Sequence, residues 1–148
     1  KMSSSFYQQS TWTPSLGSSD TAPAWIYTAQ SGRYVRIGKL FLLDGYIKAT
    51  SPSSNLGLGN VRLTGLPAIL GSSGSASYIA NCKVDCLSYA AFGDSSGIME
   101  IEIYPNASYS TGFDIKKRTG LTATTNIVYP AVASSDFEIK FTILGYIT

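Results

Sequence analysis

The stretch SGRYVRIGKLFLLDGYI, Ser31 to Ile47, constrains this chain more than any other. A glycine turn at Gly38 and Lys39 separates two strand-like runs, and the second run is apolar at consecutive positions. Side chains alternate faces along a strand, so consecutive apolar residues put apolar groups on both faces. In a small antiparallel sheet one face normally meets water. If Phe41 and Leu43 turn to a core, Leu40 and Leu42 need a second cover. The last run, FEIKFTILGYIT, repeats the problem. Phe137, Ile139, Phe141, Ile143 and Ile147 face one way, and Glu138, Lys140 and Thr142 the other; Leu144 and Tyr146 then fall on the polar side.

Helical periodicity is almost missing elsewhere, and β-branched and aromatic residues alternate with polar ones between Gly, Pro, Ser and Asn punctuation. Strands are expected at AWIYTAQ, RYVRI, LFLLDGYIKAT, NVRLTGLP, Ser77 to Phe92, IMEIEIY, ASYSTGFDIKK, near NIVYP, and at the last run. About eight strands at this spacing predict an all-β fold, a jelly-roll-like antiparallel β-sandwich. The expected inward residues include Val35, Ile37, Phe41, Leu43, Ile47, Leu63, Tyr78, Ala80, Cys82, Val84, Met99, Ile101, Ile103 and the Phe137 set. Residues 1–20, rich in Ser, Gln and Thr, read as an extended lead-in tied down at Trp12, and residues 21–148 as one domain. Lys1 to Gln9 is too polar for a signal peptide, and Lys before Met2 reads as a fragment or an expression scar.

Several function classes are disfavoured. The chain has no histidine, which removes Ser-His-Asp and Cys-His mechanisms and the commonest metal ligand. No metal and no cofactor are expected. A net charge of +2 is too small to argue for nucleic acid, and no apolar run is long enough to span a membrane. Cys82 and Cys86 on one strand would lie ~13 Å apart, beyond disulfide reach, so free thiols are expected. Glu100 and Glu102 share a strand face about 7 Å apart, a spacing that glycosidases use. Two carboxylates on a solvated strand face, paired with Lys116 or Lys140, are the plainer reading, and no enzymatic activity is expected. Gly93 to Gly97 reads as a turn rather than a Ca²⁺ loop, Lys116 to Arg118 as a solvated strand end, and Asn106 to Ser108 as a chance glycosylation sequon. The tyrosines are more informative. Tyr46, Tyr89, Tyr104 and Tyr146 fall opposite the expected core, where an exposed ring stacks on a sugar and its hydroxyl finds a partner. Cross-strand pairing or a subunit contact is the alternative for each.

In order along the chain, Trp12-Thr13-Pro14, Gly32 to Gly38, Leu63 to Pro67 and Phe137 to Thr148 resemble the C-terminal domains of bacteriophage tail fibres and tailspikes. Lys39 departs from the pattern, since Asn is more usual after that glycine. The resemblance implies a β-sandwich that forms a homotrimer, closes the distal end of a fibre below its upstream shaft, and binds a host surface polysaccharide or receptor. It also implies a virion component assembled in the host cytoplasm. Leu40, Leu42 and Leu144, with Tyr146, would then be covered by neighbouring subunits. The alternative is a carbohydrate-binding module attached to a polysaccharide-degrading enzyme, for which a monomer suffices. A lyase or hydrolase in its own right is disfavoured by the missing histidine and the weak carboxylate pair.

Overall fold

The computed structural model describes residues 6–50, 57–67, 78–86, 100–105, 112–119, 123–126, 128–129 and 136–147. Eleven strands follow in order: β1 (Tyr7–Trp12), β2 (Ser15–Ser18), β3 (Ile26–Ile37), β4 (Leu40–Thr50), β5 (Gly59–Thr64), β6 (Tyr78–Cys86), β7 (Glu100–Pro105), β8 (Gly112–Thr119), β9 (Ala123–Asn126), β10 (Val128–Tyr129) and β11 (Phe137–Ile147). One sheet has the order β1-β3-β4-β11-β6. The other runs β10-β5-β8-β7, with β2 also pairing β5 and β9 pairing β8. Every strand pair among the described residues is antiparallel. The fold is all-β, with two antiparallel sheets, consistent with a β-sandwich.

The strand count exceeds the expected eight, most clearly at the N-terminus. The segment 1–20, expected as a lead-in, supplies β1 to the first sheet and β2 to the second. The chain crosses between sheets at Thr13 and Pro14, so the Trp-Thr-Pro motif is a corner, with Trp12 and Leu16 buried on either side. The Leu-Thr-Gly-Leu-Pro motif packs against it: Thr64 pairs with Ser15, and Gly65, at φ 75°, sits where any Cβ would collide with the Thr13 carbonyl. Tyr27 on β3 straps the corner down, its hydroxyl accepting from Leu16 N at 2.9 Å, and Gln30 Nε2 donates to Pro14 O at 2.8 Å. Burial holds the Tyr27 phenol above its usual range despite the hydrogen bond with Leu16. The expected strands AWIYTAQ and RYVRI, in turn, fuse into one strand with a bulge between Tyr27 and Ala29.

The buried faces follow the alternation. Phe41, Leu43, Ile47 and Ala49 on β4 meet Ile139, Phe141 and Ile143 on β11; the second sheet contributes Leu16, Val61, Leu63, Phe113 and Ile115. Glycine takes part through close approach. Gly45 pairs with Phe141, and Gly145 with Phe41. Each ring lies over its partner glycine, so closely that a Cβ at either position would overlap the ring. A third ring, Trp12, covers its own cross-strand partner Gly32, donates its indole N–H to Asp44 O at 3.1 Å, and meets Phe141 edge-on at 6.0 Å. Trp12, Gly32, Gly45 and Phe141 therefore form one row across β1, β3, β4 and β11.

Two expected inward residues need correction. Val35 and Ile37 do not face the core: Val35 is half-buried and Ile37 exposed. The turn at Gly38 and Lys39 has two residues, so Ile37 pairs with Leu40 and Val35 with Leu42. Directly paired residues share a face, which sends odd positions of β3 to the same side as even positions of β4. Met99 lies outside the described residues.

Cys82 and Cys86 stand opposite Ile143 and Ile139 in an unbroken register along β6. Four residues of regular strand keep their Cα atoms ~13 Å apart, outside disulfide geometry. Labelling of the denatured, unreduced protein should therefore find two reactive thiols, and finding none would mean a bridge that this register forbids.

The ring-over-glycine pairs give a sharper expectation. Gly145→Ala should destabilise by roughly 1–3 kcal/mol, the usual cost of overpacking. Phe41→Leu in the same chain should recover part of the loss, because it removes the atoms the new methyl strikes. Thermal melts of the two single variants and the double variant check this; strict additivity would show that the ring and the glycine do not constrain each other.

Candidate functional site

The outward face of the first sheet changes character along its strands. At the turn end, Tyr7, Ile37, Leu40 and Tyr146 form one cross-strand row, and Gln9, Val35, Leu42 and Leu144 the next. Six large apolar residues there are exposed: Tyr7, Ile37, Leu40, Leu42, Leu144 and Tyr146, with Leu40 at 52% and Leu144 at 54%. Lys39 reaches back over the Tyr146 ring at 5.6 Å, and the Tyr7 hydroxyl donates to Gln9. Contiguous apolar area of this kind marks an interaction surface in a soluble protein.

The following rows are polar. Thr11, Arg33, Asp44 and Thr142 align across β1, β3, β4 and β11, and Ser31, Tyr46 and Lys140 align beyond them. Together with Gly32, Gly45 and Phe141 they line a depression of about 540 Å³. Thr142 donates to Asp44 Oδ1 at 2.9 Å. The Tyr46 hydroxyl donates to Glu138 Oε1 at 2.6 Å, and Lys48 Nζ lies 3.3 Å from Glu138 Oε2. That hydrogen bond holds the Tyr46 phenol above its usual range, and holds the Glu138 carboxyl below its own with help from Lys48. Short hydroxyl side chains, one engaged carboxylate, a fixed phenol and two cations suit a polar ligand rich in hydroxyls.

The expected tyrosines do not converge. Tyr46 lines the depression, whereas Tyr146 stands in the apolar rows six residues along β11 from Lys140, the partner of Tyr46, or ~20 Å away. Tyr104 is on β7 of the other sheet, opposite Asp114. Tyr89, Gly93 to Gly97 and Asn106 to Ser108 lie outside the described residues. In the register of β7 and β8, Glu100 pairs with Arg118 and Glu102 with Lys116. No group of three His, Cys, Asp or Glu able to hold a metal is found among the described residues, and no helix there is long and apolar enough to cross a membrane.

Arg33, Asp44, Lys140 and Thr142 were not singled out as binding residues from sequence. Half of the cluster was readable: the two-residue turn that pairs Ile37 with Leu40 also pairs Arg33 with Asp44. The other half needs β11 beside β4, a pairing that no local signal announces.

No family model matches the chain, and no curated protein matches it. Among solved structures it is similar to the crystal structure of the Dettilon tailspike protein (gp208), with a TM-score of 0.62 at 16% identity. The likeness covers 97% of this chain, which spans 24% of the length of that tailspike. At this identity the likeness is one of fold.

The Tyr46–Glu138 pair yields a pH expectation. The depressed carboxyl contributes stability above its unfolded pKa that is lost as pH falls through the folded value; the raised phenol contributes below its unfolded pKa, lost as pH rises through the folded value. The link therefore holds across neutral pH. Ultraviolet titration of the phenols should show, besides the raised Tyr27, an alkaline-shifted component that disappears in Tyr46→Phe and returns towards the ordinary range in Glu138→Gln. An unchanged titration in both variants would mean that this hydrogen bond does not form in solution.

Proposed function

We propose that this chain is a distal module of a phage tail fibre or tailspike, a virion component that trimerises and binds a host surface glycan or receptor. One observation carries the reading: the outward apolar rows of the first sheet, which a soluble monomer would leave in water. The tailspike-like fold and the sequence resemblance supply the context in which such rows are covered by copies of the same chain. A β-sandwich attached to an upstream shaft has its threefold contacts repeated at each subunit, so a modest patch becomes a substantial interface. The polar depression beside the patch is then the face left for a ligand.

The module binds without cleaving. Glu100 and Glu102 pair in register with the basic residues Arg118 and Lys116, and the chain has no histidine, which supports a binding module over the split carboxylate pair that glycoside hydrolysis needs. Reducing-end assays on host polysaccharide should show no turnover; turnover abolished by Glu100→Gln or Glu102→Gln in a folded protein would overturn this part.

Trimerisation has a direct test. Burying a leucine contributes ~1.5–3 kcal/mol, and a threefold axis applies each substitution three times. Leu42→Asp should dissociate or aggregate the assembly, because each buried carboxylate is costly without a partner. Leu58→Asp, at a position 57% exposed away from these rows, should leave it intact. Sedimentation of the three proteins decides. A wild-type monomer at micromolar concentration would favour the other reading, a carbohydrate-binding module of a polysaccharide-degrading enzyme.

A further inference from the structure

The depression carries two cations beside carboxylates that are engaged by other groups. Arg33 stands directly opposite Asp44 across β3 and β4, the position at which an ion pair would form. Asp44 instead accepts from Thr142, on the strand at its other side. Lys140 lies two residues from Glu138 on the same face of β11, yet Glu138 is engaged by the Tyr46 hydroxyl and by Lys48. Among the described residues neither Arg33 nor Lys140 has an ion-pair partner, and both are exposed at the rim of the depression. The neighbouring positions on β6 are Lys83, opposite Thr142, and Asp85, opposite Lys140.

The geometry points to an acidic saccharide as the ligand of this depression, with its carboxylates received by Arg33 and Lys140 and its hydroxyls by Asp44, Thr142 and Ser31. This rests on the reading of the chain as a glycan-binding tail module. The two cations are set two strands and two residues apart, roughly 12 Å between backbones. That is too far for one carboxylate to bridge at the backbone, but it suits acid groups repeating along an oligosaccharide. Arg33 offers the planar fork that a carboxylate matches with two parallel hydrogen bonds, while Lys140 acts as a mobile point charge. Asp44 keeps one oxygen beyond its bond with Thr142, a fixed acceptor for a sugar hydroxyl. A neutral glycan would leave the two cations unused. A simple anion would leave the carboxylate and the hydroxyl groups unused.

The test uses the intact protein on immobilised polygalacturonate, hyaluronan and polysialic acid, each beside its carboxyl-reduced counterpart, with dextran as a neutral control. Binding of at least one acidic polysaccharide is expected, lost on carboxyl reduction and weakened by salt. Arg33→Gln and Lys140→Gln should each weaken it about tenfold or more. Lys39→Gln, at the apolar end of the same face, should retain it. All the substituted side chains are exposed, so melting temperatures should match wild type. The inference is overturned if no acidic polysaccharide binds above dextran, if the reduced forms bind equally, or if the Arg33 and Lys140 variants bind like wild type. A separate arm measures binding of the labelled protein to whole bacteria of candidate host strains. Cell binding with a failed acidic panel rejects the ligand class and keeps the module reading; a monomer that labels no cells rejects the module reading itself.

Discussion

The row Trp12–Gly32–Gly45–Phe141 is the constraint on which the first sheet depends. Three central positions of that sheet are glycines, which weakens strands and leaves nothing to pack. Each is covered by the ring of its cross-strand partner: Gly32 by Trp12, Gly45 by Phe141, Gly145 by Phe41. The rings gain a flat seat on backbone, and each strand's register is fixed, because a slip would set a ring against a Cβ. Trp12 also holds β1 to the sheet and bonds to the backbone of Asp44. The same row that orders the core side therefore positions the residue that organises the depression on the outer side.

Register then determines the outward face. Because alternate residues on β4 and β11 are locked into the core, and β1 and β3 follow their register, the intervening residues have no freedom of placement. They form rows that pass from Tyr7, Ile37, Leu40 and Tyr146 to Ser31, Tyr46 and Lys140. One end is suited to burial against another subunit and the other to a polar ligand. Placing both on one rigid sheet couples them physically: a ligand in the depression contacts strands that also build the apolar rows. The internal bonds of Asp44 with Thr142 and of Glu138 with Tyr46 and Lys48 keep the polar end pre-organised, so little ordering cost falls on binding.

Much of this was legible in sequence because it is local. Period-two alternation identified β11 and the buried set Ile139, Phe141 and Ile143, and the glycine turn identified the β3–β4 hairpin. Leu40, Leu42, Leu144 and Tyr146 were correctly expected opposite the core. Val35 and Ile37 were misplaced because the alternation was carried straight through a two-residue turn, which exchanges odd and even positions. Residues 1–20 were read as an extended lead-in tied down at Trp12, and the strands within it were not resolved, because short polar strands such as β1 and β2 carry no periodic apolar signal; only Trp12 and Leu16 are buried in them. The depression was hidden for a different reason. Thr142 and Asp44 are 98 residues apart in sequence, and their contact exists only once β11 inserts between β4 and β6.

In the proposed reading the outward face of the first sheet is divided, with one half buried against other copies of the chain and the other half open. Hydroxyl-radical footprinting of the intact protein measures this residue by residue. Ile26 and Leu58, 60% and 57% exposed and away from the apolar rows, provide the reference for freely oxidised apolar side chains. The account predicts that Leu40, Leu42, Leu144 and Tyr146 are protected well below their exposure in the single subunit, while Tyr46 in the depression is oxidised to the extent its half-burial allows. Oxidation of the four apolar residues at the reference rate would contradict it.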